Sequence, residues 1–354
     1  GKRRVEVSAG RGMGGGKAAK DAEVKYMTAV GLLKQESLTG QERLNSYSGD
    51  SNSDGSDESE GESELASGRF RYVFSVLYDG SPYCGWQLQP HQRSVQGLLE
   101  TVLAKKLQHK VKVVGAGRTD TGVHARGQVA HFETDSEIDC DRFQHSFNRM
   151  LPFDVRVKHL QAAPKSGYVD EDGRELPWHS IYNALGKLYV YRIYAGPVLD
   201  PLQRHMRYFE HRPFDADKLK AACGEFVGTH DFAAFANKNV KGKAARNAVR
   251  TIHSIEVHDE GGGNYRVEFL LDGALYKMVR NIMGTVLAVA CDKMDIASIP
   301  MMFAEGSRQR VPTAAPAHGL CLEQVYFSDF GEKDLPECFR GKRKLPPGFA
   351  LADE

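Results

Sequence analysis

The sequence predicts an α+β protein built from two ferredoxin-like halves, each with the element order βαββαβ. Three observations lead there. Apolar residues alternate with period two in short runs, as at Phe70, Tyr72, Phe74, Val76 and Tyr78. Elsewhere they recur at helical spacing, as at Val95, Leu98, Leu99, Val102, Leu103 and Leu107. The same succession of strand-like and helix-like segments then occurs twice along the chain.

In the first half, residues 69–163, the strand from Phe70 leads to a helix with Ser94 as its N-cap, because a serine hydroxyl can accept from first-turn amides. Residues 111–114 and 128–132 read as strands, 141–150 as a helix and 155–160 as a strand. In the second half, residues 164–330, the strands are 188–194, 249–257, 265–271 and 320–327, and the helices 216–227 and 275–290. Residues 1–68 lack a periodic apolar pattern, and residues 50–64 hold seven acids with no Lys or Arg, so this segment is predicted to be disordered. Gly10 to Ala18 is no phosphate loop, since its spacing is wrong and Ala18 stands where the magnesium-binding hydroxyl belongs. Residues 331–354 read as a basic, proline-containing tail, with Arg340, Lys342, Arg343 and Lys344 solvated.

At 354 residues with 41% hydrophobic content, the chain can bury a full core. Nine of its 47 Lys and Arg and twelve of its 46 Asp and Glu fall in residues 1–64; the remainder carries 38 against 34, or about +4. That balance is compatible with RNA binding through local patches and does not demand it. Six widely spaced cysteines suggest neither a zinc site nor a disulfide framework. The longest apolar run, residues 283–291, is far below the roughly 18 residues that span a bilayer, so no membrane partner is expected. Residue 1 is Gly, as in a processed or truncated chain, and the compartment is left open.

The most informative run is residues 115–129, where Asp120 lies between Arg118 and Gly122 in a loop joining two predicted strands. A carboxylate at a rigidly anchored loop tip beside a permanently charged arginine suits an ionised nucleophile. The same pattern also describes a surface ion pair in a turn. Residues 117–125, Gly-Arg-Thr-Asp-Thr-Gly-Val-His-Ala, followed by Gln128-Val129, resemble the signature of the TruA-type tRNA pseudouridine synthases. The resemblance continues through Tyr78-Asp79-Gly80, Gly85-Trp86-Gln87, Ser94-Val95-Gln96, residues 148–152, 187–191, 228–232 and 278–282, and Gly319-Leu320, covering about residues 70–327.

This resemblance implies the pseudouridine-synthase fold, with the two halves joined in a central antiparallel sheet that cradles RNA. It implies isomerisation of uridine in tRNA, in the anticodon arm, by a homodimer that needs no cofactor. It assigns catalysis to Asp120, with Arg280 pairing to it, Tyr189 beneath the target base and Arg118 assisting extrusion of the nucleotide. Leu320 would pack on the base, and Gln87, Arg93, His124 and Gln128 would contact RNA. The acid-free run containing Lys238, Lys241, Lys243, Arg246 and Arg250 suits phosphate contacts. Each residue also has a plainer reading: Tyr189 and Leu320 as core, Arg280 in a structural ion pair, the lysines as a solvated loop.

Two departures stand out. The family's His-Ala-Arg-Phe-Ser is here residues 179–183, His-Ser-Ile-Tyr-Asn, with Ile181 in place of an arginine, and about ten additional residues separate Pro164 from Trp178. Lost contacts there leave open an inactive tRNA-binding or chaperoning module of the same fold. Glycoside or phosphoryl chemistry, the third reading, lacks a second carboxylate in a comparable setting and a magnesium motif.

Overall fold

The first half forms β1 (Phe70–Tyr78), α1 (Val95–Leu107), β2 (Val113–Gly115), β3 (His124–Thr134), α2 (Cys140–Met150) and β4 (Val155–Ala162). The computed structural model describes residues 69–165, 167–169, 174–237, 247–330 and 335–341, so residues 1–68, expected to be disordered, lie outside the described residues. Alternation along β1 buries Tyr72, Phe74, Val76 and Tyr78, and Phe74 meets Phe132 and Phe147 edge-on at 5.8 and 6.3 Å. Ser94 caps α1 by accepting the Gly97 amide.

The second half begins with the short β5 (Tyr168–Val169) and β6 (Glu175–Leu176), then β7 (Ala184–Tyr194), β8 (Tyr208–Phe209), α3 (Ala216–Gly224) and β9 (Gly228–Asp231). It continues with β10 (Val249–Gly261), β11 (Asn264–Leu271), α4 (Met278–Ala290), α5 (Ser298–Glu305) and β12 (Leu320–Phe327). All six long elements expected here are present. The strands of two to four residues were not anticipated because they are too short to show a period.

The sheet runs β4-β1-β3-β12-β7-β11-β10-β9, with β2 on β3 and β8 on β7. Each half is antiparallel along this path. The seam between halves is parallel and short, pairing Cys321 with His124 and Leu322 with Ala125. Strand β3 divides one edge between two neighbours: residues 130–132 pair with β2, and residues 124–125 with β12. The loop joining β2 to β3 therefore emerges where the halves meet.

The segment expected to be a solvated C-terminal tail is in part core. Leu335 and Phe339 are buried with Leu185 and Tyr326, and the Phe339 ring lies 5.6 Å from Tyr326 and 5.0 Å from His253. Two apolar residues in a polar stretch gave too weak a pattern to predict docking. Lys342, Arg343 and Lys344 lie outside the described residues.

Residues 179–183 are latched across β2. The buried Ser180 donates its hydroxyl to the Val114 carbonyl at 2.9 Å and its amide to His131 Nδ1 at 3.3 Å. Burial and then the charges of His179, Arg71 and Lys112 hold the His131 imidazole well below its ordinary pKa. Burial, with Arg71 and Lys112, pushes His179 down to about 4. Unfolding restores an ordinary value near 6.5, so below that pH the unfolded chain binds more protons and stability falls as pH falls. The latch stability is fully present above about pH 6.5 and is lost toward pH 4, by at most about 1.4 kcal/mol per pH unit for each group. Urea unfolding at pH 7 and pH 5 should show this loss, and His179→Gln should make it smaller; equal losses in both proteins would contradict the assignment.

Candidate active site

The loop of residues 116–123 is seated on the turn after β1. Gly85, at φ +107°, approaches so closely that a Cβ would fall 2.4 Å from the Thr119 carbonyl. The Trp86 amide donates to that carbonyl at 3.1 Å, and the hydroxyls of Thr119 and Tyr78 lie 2.8 Å apart. Thr121 donates its hydroxyl to the Cys84 carbonyl, and Gly122 at φ +77° lets the Val123 amide turn back to the Asp120 carbonyl at 3.1 Å. Glycine tolerates these left-handed conformations without a Cβ penalty. Tyr78 to Gly80 and Gly85 to Gln87 accompany the loop because they form its seat.

The Asp120 side chain is 17% exposed, and Arg280 Nη1 donates to it at 3.0 Å. Arg280 is 14% exposed in the first turn of α4. Its Nε donates to the Ala315 carbonyl at 2.8 Å, and the Ala315 amide donates back to the Arg280 carbonyl at 2.8 Å. The guanidinium is thus fixed from behind before it meets the carboxylate. Arg280 makes the ion pair with Asp120 that the sequence resemblance implies, and Arg118 is exposed.

Both residues line a cavity of about 650 Å³, with Arg118, Tyr189 and Leu320 also on its wall. That size suits a small-molecule or nucleoside ligand. Five side chains expected to act together therefore share one space, although they come from a loop, a helix and two strands. Tyr189 is buried on β7, and burial, followed by the Asp120 charge, pushes its phenol well above the ordinary value, so the hydroxyl keeps its proton. Leu320 is buried at the start of β12.

Ile181, Lys187 and Arg250 line the same cavity. The isoleucine that replaces the expected arginine thus faces the site itself. Lys187 was missed, although it precedes Tyr189 by two residues on a strand and so must share its face. A Cβ on Gly117 would come 2.4 Å from Lys187 Nζ, which places the amine against the Asp120 loop.

Four residues expected to contact RNA are placed elsewhere. His124 is buried, and its Nδ1 accepts the Gly80 amide at 3.0 Å, with burial the first cause of its lowered pKa. Gln128 is fully buried and donates to the Gly117 carbonyl. Arg93 donates to Asp154 and to the Tyr83 hydroxyl, both at 3.1 Å, with its guanidinium 4.4 Å over the Tyr83 ring. His124 and Gln128 brace the loop from inside the protein, and the half-buried Arg93 braces its seat. Gln87 is half-buried in the seat and does not line the cavity. Lys238, Lys241, Lys243 and Arg246 lie outside the described residues.

Among the described residues, Glu256, His258 and Glu268 on β10 and β11 are close enough together to hold a cation. Arg266 pairs with Glu268 there, and none of these residues lines the cavity.

Comparison with known proteins bears directly on this site. The sequence profile of one family, described as tRNA pseudouridine synthase, matches residues 74–172 and 222–328. The chain belongs to that family. A tRNA pseudouridine synthase A 1 from Protochlamydia amoebophila is 42% identical over 260 residues, spanning 73% of this chain and 96% of the relative. The tRNA pseudouridine synthase A of Acetivibrio thermocellus is 40% identical over 252 residues, spanning 71% and 97%. As a tRNA pseudouridine synthase family member, the chain has Asp120, Arg280 and Leu320 inside the matched residues. Ile181, Lys187 and Tyr189 fall in the interval between them, so one wall of the cavity lies outside the profile match.

The seat makes a stability prediction. Tyr78→Phe leaves the buried Thr119 hydroxyl without its partner and should destabilise the protein by about 1–2 kcal/mol. Chemical denaturation measures this, and a change below about 0.3 kcal/mol would remove the bond from the account.

Proposed function

We propose that the protein isomerises uridine to pseudouridine in tRNA, with Asp120 as the catalytic carboxylate. The observation that carries this reading is the Asp120–Arg280 contact at 3.0 Å on the wall of a nucleoside-sized cavity. Membership of the tRNA pseudouridine synthase family supports the reaction and the tRNA substrate. Action in the anticodon arm and assembly as a homodimer belong to the same proposal and rest on the sequence resemblance.

The reaction breaks the bond from N1 to ribose C1′, turns the uracil within the site, joins C5 to C1′, and loses a proton from C5 while N1 gains one. Atoms balance without an external reagent. Asp120 begins it by one of three routes: attack on C1′, attack on the base at C6, or removal of the C2′ proton so that the base leaves. Arg280, held by Ala315, fixes the direction of the carboxylate for each. Tyr189 offers its ring to the base and its hydroxyl to the last proton transfer. Arg118, exposed at the cavity wall, is suited to fill the position vacated when the nucleotide is extruded, which costs a few kcal/mol of stacking.

With tRNA tritiated at uridine C5, the native protein should release label. Asp120→Ala should slow release by on the order of 10⁴-fold or more while tRNA still binds. Tight binding without release by the native protein would instead support the inactive binding module. Tyr189→Phe keeps the ring and removes the hydroxyl, so kcat should fall by roughly 10²-fold or more with KM little changed. An unchanged kcat would limit Tyr189 to stacking.

A further inference from the structure

A second cavity, of about 410 Å³, takes part of its lining from two segments that also contribute to the first. Residue 114 lines this one while residues 116 and 117 line the catalytic cavity; His179 and Tyr182 line this one while Ile181 lines the other. The Ser180 latch on Val114 holds the two segments together. The sites are therefore neighbours with a shared wall a few residues thick.

Its chemistry is of a different kind. Tyr182 packs against Tyr168 at 4.7 Å and 31° and against His179 at 4.5 Å and 35°, with His131 at 4.7 Å from His179. This cluster offers flat apolar faces, and low pKa values keep both imidazoles neutral. Arg69, Arg71, Lys110 and Lys112 bring four positive charges to the lining against Glu100, Glu133 and Asp135. Two of these charges are taken up within the lining, Arg71 by Glu133 and Arg69 by the exposed Asp135, while Glu100 accepts from Gln96 and the Val113 amide. After burial, Arg71 and Lys112 are also the charges that oppose protonation of His179. Both lysines are exposed. Aromatic faces beside a cationic rim are how proteins hold single-stranded nucleic acid, with bases stacked and phosphates at the rim.

We propose that this cavity is a second nucleotide subsite, which takes an unpaired nucleotide of the substrate RNA near the target uridine, its base against Tyr182 and its phosphate at Lys110 and Lys112. This rests on the reading of the chain as a tRNA-modifying enzyme. The subsite supplies affinity and register and has no part in the bond changes. It uses Tyr168, from the segment that is longer here than in the family pattern, so its preference for RNA sequence around the target is a property of this chain.

The test uses full-length protein and tRNA tritiated at uridine C5, with four variants. Lys110→Glu with Lys112→Glu, and separately Tyr182→Ala, should each raise KM about tenfold or more with kcat within about twofold of native, since one stacked base or a pair of phosphate contacts contributes at least that much. Tyr182→Phe should restore native KM. Lys220→Glu, at an exposed helix position away from the cavity, serves as the charge control. The lysine pair should also reduce the salt dependence of binding by up to about two phosphate contacts. Melting temperatures guard against a folding defect in Tyr182→Ala; the exposed lysine pair tests the subsite independently. Native KM in both the lysine pair and Tyr182→Ala overturns the proposal. An equal rise in Lys220→Glu also overturns it, by showing a response to net charge alone. If the native protein releases no label, the parent reading fails, and filter binding of the same tRNA to the same variants still decides the subsite. Competition by free uridine monophosphate at tRNA-like affinity would assign the cavity to a free nucleotide and overturn its role in RNA.

Discussion

The ion pair between Asp120 and Arg280 joins residues 160 positions apart, one on a loop of the first half and the other on a helix of the second. It can exist only when the halves are zipped together, and the seam that zips them pairs just two residues of β3 with two of β12. The chain leading into β12 ties these features together. It clamps the Arg280 backbone at Ala315, accepts the Tyr191 hydroxyl at the Pro316 carbonyl, and reaches the seam at Cys321 and Leu322. A shift in that stretch would move the arginine, the tyrosine strand and the seam together. Interactions so connected do not contribute additively.

Charge in the catalytic cavity has a consistent logic. Among the described residues, one carboxylate, Asp120, shares the walls with Arg118, Lys187, Arg250, Lys277 and Arg280. A polyanionic substrate finds favourable potential there, and the carboxylate finds donors already in place, with no need to recruit them during reaction. The buried Tyr189 phenol remains neutral beside it, and so adds a ring and a hydroxyl without a competing negative charge.

Much of this was legible in the sequence. Periodicity found the long strands and helices of both halves because each buries one face, as β1 does with Tyr72, Phe74, Val76 and Tyr78. The Ser94 cap followed from local chemistry alone. The meeting of Asp120 with Arg280 came from resemblance, since no local rule links positions so distant. Polar residues next to a reactive loop suggest ligand contacts, and sequence alone does not show that His124, Gln128 and Arg93 also brace the loop and its seat. His124 Nδ1 and Gln128 Nε2 bond the nearby backbone and Arg93 bonds Asp154, whereas His124 Nε2 and Gln128 Oε1 are buried with no hydrogen-bond partner among the described residues. Lys187 was available to a period-two argument from Tyr189 and went unused.

Phe339 docks from beyond the last residue that the family profile matches. Its ring occupies the space that Gly186 leaves open on β7, where a Cβ would lie 2.1 Å from the phenyl tip. Gly186 is three residues from Tyr189 on the same strand, yet the family match stops at residue 328. The packing around β7 therefore extends past the residues that the family profile matches. A chain ending at residue 328 would uncover Gly186, Leu185 and Tyr326, on and beside the strand that carries the tyrosine.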